Sequence, residues 1–267
     1  MSFFWMLERD CGRLRDLRVR ASSCPLGAGA LAGNAYGVDR VALAEELGFQ
    51  SVAENSMDAV SDRDMILETL SWGAILGVHL SRLAEDVILW SSAEFGFLRL
   101  DERYSTGSSI MPQKRNPDGA ELVRGKTGRV FGDLQALLVI TKGLPLAYNR
   151  DLHEEREPLQ DLLRHTLDSL LLRTAMWHGV EVRRGRFASE LVGDFALATE
   201  LADALVQRGV PFRDAHEAVA RMVRWCEERG GNLCLLDHGQ GTALHRTLHE
   251  ARPALLFHMA GSTGRGS

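Results

Sequence analysis

A chain of 267 residues with 45% hydrophobic and 25% charged side chains has the composition of a globular protein with room for one large domain or two ordinary ones, which excludes a disordered tail, a collagen-like chain and a disulfide mini-scaffold. A formal charge of −5 argues against a nucleic-acid footprint. Four cysteines without a C-x-x-C spacing offer neither a disulfide framework nor a thiolate zinc site, and fit a reducing compartment. The apolar opening, Met1 to Leu7, stops at Glu8. It is too short for a signal peptide or a membrane span.

The pattern is helical almost throughout. A first helix is predicted over about 3–20, with no capping residue before it. The run Pro25–Asn34 is rich in glycine and small residues, which marks irregular backbone. A short helix follows over about 39–47. Ser61 then reads as the N-cap of a long helix reaching about 93. In it Ile66, Leu70, Ala74, Gly77, Leu80, Ala84 and Val87 recur at three- and four-residue steps, forming one apolar stripe. Small residues in that stripe allow close approach of another helix. At about 1.5 Å per residue such a helix spans about 45 Å, which points to a bundle shared between subunits.

A polar loop over 104–117 leads into a helix to about 142, with Asn116 as N-cap, Pro117 as first helical residue and an interior stripe of Leu122, Val130, Leu134, Leu137 and Leu138. A second loop, Tyr148 to His153, precedes a helix over about 154–178. Shorter helices over about 195–208 and 214–229 make a separate small domain, and no strand pair is expected. The domain division is 1–180 for the bundle, 181–236 for the small domain and 237–267 for a divergent, poorly ordered tail.

The segment Gly107, Ser108, Ser109, Ile110, Met111, Pro112, Gln113, Lys114, Arg115, Asn116, Pro117 carries the chemistry. Glycine and serine give a loop, Lys114 and Arg115 supply positive charge, and the following helix start favours anions. Together they suit a multiply anionic small molecule. Glu121, in the first turn of that helix, either complements the dipole or orients a histidine for acid–base work.

Gly-Ser-Ser-x-Met-Pro-x-Lys-x-Asn-Pro resembles the signature of the fumarase/aspartase superfamily, and Gln113 within it resembles argininosuccinate lyase and its delta-crystallin relatives. Further matching segments are Pro25–Gly33, Asn55–Asp64, Lys142–Asn149, Ala198–Asp203 and Gly209–His216, so the likeness covers about residues 3–230. The resemblance implies an all-α fold: a long-helix central bundle of the fumarase/aspartase type plus a small helical carboxyl-terminal domain. It implies a cytoplasmic homotetramer of arginine biosynthesis and the urea cycle. It also implies cleavage of argininosuccinate to arginine and fumarate by anti elimination, with no metal, no organic cofactor, and no nucleic-acid or membrane partner.

By the same resemblance, Ser108 removes the proton beside a carboxylate, Lys114 and Asn116 hold the resulting aci-carboxylate, and Glu121 orients an acid histidine. Tyr148 helps to bind substrate and Arg63 supports its anionic end. His153 and Arg156 stand where the family usually has Gln and Lys, and Arg keeps the charge but not the geometry of Lys. None of the nine histidines stands in the family context of the acid histidine; His79, His165 and His178 read as structural. Against the family pattern the chain starts inside a bundle helix, after the stretch that carries the acid. The alternative expectation is therefore a catalytically incomplete fragment or a crystallin-like structural bundle protein.

Overall fold

The computed structural model describes residues 1–107, 111, 115–187, 195 and 198–231. The chain divides into two compact units, Met1–Val182 and Arg183–Ser267. The expected tail, 237–267, lies outside the described residues.

The first unit is built on four long helices: α1 (Ser2–Arg20), α4 (Asp64–Ser91), α5 (Asp118–Thr141) and α6 (Arg156–His178), with the short α2 (Arg40–Glu46) and α3 (Ser56–Ser61) between the first two. Their directions follow from what they bury together. Near the start of α4, Ile66, Leu70 and Ala74 pack with Val130 and Leu137 of α5 and with Leu162 of α6. Near its end, Leu80, Ala84 and Val87 pack with Ala120 and Val123 of α5 and Met176 of α6. Thus α5 runs antiparallel to α4, and α6 runs parallel to it. Arg20 pairs with Glu68, while Asp10 meets His79 further along, so α1 also runs antiparallel to α4. Leu70, Leu137 and Leu162 are fully buried, each worth about 1.5–3 kcal/mol relative to exposure.

The α4 stripe read from the sequence is buried at every position. Its covering differs from the expectation of a bundle shared between subunits: helices of the same chain fill it. A Cβ on Gly73 would lie 2.1 Å from Leu162 Cδ1, and one on Gly77 would lie 3.0 Å from Thr127 Cγ2. The small residues admit α5 and α6 of this chain.

Several local expectations are corrected. Ser61 is the last residue of α3, which Asn55 caps by accepting from the Met57 and Asp58 N–H groups at 3.0 Å. Asp62 is extended and its carboxylate accepts from the Asp64 N–H at 2.7 Å, so the long helix opens there and closes at Ser91. Asn116 does not cap α5; it is paired in a strand, and Pro117 takes the N-cap position. Leu122 and Leu138 are exposed, because the seam of α5 runs through Val123, Thr127, Val130 and Leu137, and each of those leucines sits one residue, about 100°, off it. A 3₁₀ turn, Arg150–Glu155, precedes α6 in place of its expected first residues.

Among the described residues three two-residue strand pairs also occur, too short to leave any alternation in the sequence. β1 (Ser23–Cys24) pairs in parallel with β2 (Ser51–Val52). β3 (Leu98–Arg99) pairs antiparallel with β6 (Glu181–Val182). β4 (Thr106–Gly107) pairs antiparallel with β5 (Arg115–Asn116). The glycine-rich run is irregular as read; Gly29, at φ 66°, packs so tightly that a Cβ would meet the Gly33 carbonyl oxygen at 2.2 Å.

In the second unit, α7 (Ala198–Gln207) and α8 (Phe212–Glu228) pack Leu201, Ala202 and Leu205 against Ala215, Val219, Met222 and Cys226. Burial raises the pKa of the Cys226 thiol.

Candidate active site

The sequence-predicted residues fall into two groups at opposite ends of the bundle. One surrounds the start of α5. There the β4–β5 ladder, with Thr106 opposite Asn116 and Gly107 opposite Arg115, closes the neck of the signature loop. The Thr106 hydroxyl donates to the Asp118 carboxylate, and Arg115 pairs with Glu102 at 2.8 Å. These contacts tie the start of the loop to the first turn of α5 and its end to the 3₁₀ turn Glu102–Tyr104. Ser108 and Lys114 themselves lie outside the described residues, as do Ser109 and Gln113. Glu121 is exposed in that first turn, and its backbone N–H donates to the Pro117 carbonyl at 3.1 Å.

On the packed side of these turns, Ala120 and Val123 line a narrow cleft with Val87, Met176 and Arg173. Burial holds the Arg173 guanidinium down to a pKa of about 10.

The other group surrounds the far end of α5 and the starts of α4 and α6. Tyr148 Oη lies 2.6 Å from His153 Nε2, with the rings at 80° and their centroids 5.8 Å apart. The turn that carries them is tightly specified. Ala147 has φ 68°, the one positive value at a non-glycine position among the described residues. The Asn149 amide donates to the carbonyls of Pro145 at 2.8 Å and Ala147 at 3.3 Å, and Leu152 is buried beneath.

Arg63, at the N-cap of α4, forms an ion pair with Glu155, both side chains being largely buried. It also donates to the carbonyls of Asp62 at 2.5 Å and Val60 at 3.3 Å. Its guanidinium is thereby engaged by the turn leading into α6. Arg156 is exposed at the first residue of α6. Glu155 and Ala147 were not singled out from the sequence. Glu155 carried a signal, an acidic residue between two candidate positions, but its partner lies far away along the chain.

The 24 residues of α5 separate the two groups by about 36 Å. Asn116 and Glu121 therefore cannot act on the same small molecule as Tyr148, His153, Arg63 and Arg156 of the same chain. A site using both groups must draw them from different chains.

Two family profiles match: one described as lyase, over residues 1–132, and one described as argininosuccinate lyase C-terminal, over residues 195–256. The argininosuccinate lyase of Symbiobacterium thermophilum is 56% identical over 230 residues, covering 86% of this chain and 50% of the relative. That of Herpetosiphon aurantiacus is 50% identical over 266 residues, covering 98% of this chain and 57% of the relative. The chain belongs to the argininosuccinate lyase family. It spans about half the length of the curated family members that it matches. Among solved structures, an EDDS lyase in complex with formate superposes with a TM-score of 0.74 at 28% identity, covering 95% of this chain and 50% of that one. The all-α bundle is therefore that of the fumarase/aspartase lyases. Among the described residues no helix is long and apolar enough to cross a membrane.

Proposed function

We propose that the chain supplies two parts of argininosuccinate-cleaving sites in a cytoplasmic homotetramer serving arginine formation. The observation that carries this reading is 56% identity to a curated argininosuccinate lyase across a stretch that includes the signature loop. The roughly 36 Å between the two residue groups supports an assembly in which each site takes its loop from one chain and its tyrosine turn from another.

In this reading Ser108 removes a proton from the carbon beside a substrate carboxylate. The electron pair is held as an aci-carboxylate by Lys114 and Asn116, a stabilisation placed where charge develops. The carbon–nitrogen bond then breaks, its electrons leave with the guanidino nitrogen, and that nitrogen takes a proton from a histidine oriented by Glu121. Fumarate and arginine result. A serine is a poor base in water, so the step requires a dry, cationic setting around Ser108. Tyr148, with His153 against it, binds substrate together with Arg156 at the start of α6. Arg63 acts at one remove, by holding the turn through Glu155.

Fumarate absorbance tests the proposal. The 267 residues alone should release only traces from argininosuccinate, since none of their histidines stands in the family context of the acid and a general acid typically contributes about 10²–10⁴-fold. Mixed with a family member that keeps its acid histidine but lacks its loop serine, the chain should restore turnover. Ser108→Ala in this chain should abolish that rescue. A rescue indifferent to Ser108→Ala would remove the assigned base.

A further inference from the structure

We propose that His153 is a positioning residue that acts through Tyr148, turning the phenol oxygen outward as an acceptor for a cationic N–H group such as a guanidinium. The proposal rests on the lyase reading only in taking this turn to face ligand. Its physical basis is the 2.6 Å contact between Tyr148 Oη and His153 Nε2. Two directions are possible for that bond. The phenol is the better proton donor and a neutral imidazole nitrogen the better acceptor, so the hydroxyl donates to Nε2 and the imidazole carries its own proton on Nδ1.

The consequence is polarity. A tyrosine hydroxyl alone rotates and serves donors and acceptors alike. With its proton committed to His153, Tyr148 keeps only its lone pairs, and donation polarises the oxygen to accept more strongly. Such an oxygen discriminates for N–H groups and against carboxylates, because a carboxylate would meet lone pairs without an intervening proton.

The turn holds this arrangement from three sides. Ala147 at φ 68° occupies a left-handed conformation that costs an L-residue energy and persists only where its surroundings impose it. Asn149 ties the preceding carbonyls together. Buried Leu152 just before His153 and the Arg63–Glu155 pair just after it pin the segment to the bundle. Two side chains five residues apart are thereby preset for contact before any ligand arrives, which removes part of the ordering cost of binding.

The test titrates the 267-residue chain with free L-arginine and, in parallel, with fumarate, using calorimetry. Tyr148→Phe and His153→Leu should each weaken arginine binding roughly tenfold, the loss expected for one hydrogen bond to a charged group. The double variant should lose roughly the same tenfold, since both changes remove one unit. His153→Gln, which can still accept the phenol proton, should stay within roughly threefold of the parent. Fumarate affinity should not respond to any of them. The ¹⁵N resonance of His153 Nε2 should move in Tyr148→Phe. Additive losses, equal losses for Gln and Leu, a response of fumarate instead of arginine, or no arginine binding would each overturn the proposal. The predicted pattern without fumarate release in any mixture would overturn the lyase reading and leave the role of His153 standing.

Discussion

Asp10 and His79 join α1 to α4 through a 2.6 Å contact between carboxylate and Nδ1, made 69 residues apart in sequence. Asp10 is buried at 2% exposure. Its other oxygen pairs with Arg13 at 3.0 Å, and its backbone carbonyl accepts from Trp72 Nε1 at 3.0 Å. His79 thus has the structural role read from its sequence position. Asp10→Ala strips both His79 and Arg13 of an acceptor and should cost about 2–4 kcal/mol. Urea unfolding measures it, and a loss below about 1 kcal/mol would mean that water replaces the carboxylate.

Gly73 and Gly125 are both helical glycines and should respond to alanine with opposite signs. A Cβ on Gly73 meets Leu162 Cδ1 at 2.1 Å, whereas nothing lies within 4 Å of one on Gly125. Alanine gains about 0.5–1 kcal/mol over glycine in a helix interior. Overpacking a filled core costs about 1–3 kcal/mol. Gly125→Ala should therefore stabilise, and Gly73→Ala should destabilise on balance. Combined with Leu162→Ala, which alone should cost about 2–5 kcal/mol, Gly73→Ala should be less harmful than by itself. Strict additivity in thermal melts would remove the claimed contact.

Asp133 provides a pH-dependent test. Burial, and secondarily the charge of Asp161, raises its pKa against the opposing pull of Arg129 and His165. Its Oδ2 is buried without a hydrogen-bond partner among the described residues. A carboxyl whose folded pKa is raised favours the folded state most when protonated. That contribution is present at acidic pH and is lost as pH rises through the raised value. Asp133→Asn, neutral at every pH, should thus be more stable than the parent at pH 7, by under about 1 kcal/mol. The difference should shrink towards pH 3. A gain that persists unchanged at low pH would point to packing instead of charge.

Much of this architecture was legible because helices announce themselves over many turns. The α4 stripe offers seven periodic positions from Ile66 to Val87, and a single misplaced one would not hide it. Ends are different. Ser61 and Asn55 are equally good capping residues, and the extended Asp62 that decides between them is a property of the folded chain. Leu122 looked interior because leucine usually is, yet the seam beside it uses Ala120, Val123 and Thr127. In the site, the signature loop and Tyr148 were readable as local strings. The separation of the two groups follows from the helix read between them, whereas the Arg63–Glu155 pair depends on a tertiary contact that no local pattern encodes.

The final prediction concerns assembly. Leu163, Leu167 and Leu171 stand one helical turn apart on α6 at 53%, 58% and 60% exposure, and Leu122 and Leu138 of α5 are exposed at 57% and 44%. Spaced at i, i+4 and i+8, the three α6 leucines form one apolar face, in contrast to scattered surface leucines. In the proposed assembly this face packs against another chain. Sedimentation at micromolar concentration should find dimers or larger species, with the tetramer favoured. Leu167→Lys, which disturbs no buried contact, should shift the population towards folded monomer and reduce rescue in the mixed assay in proportion. Because the loop group and the tyrosine turn lie at opposite ends of α5, Ser108→Ala and Tyr148→Phe chains should also complement each other when co-assembled with an acid-bearing family member. Sites that take the loop from one variant and the turn from the other are intact. A folded monomer that still supports rescue, or paired variants no more active than either alone, would refute the shared site.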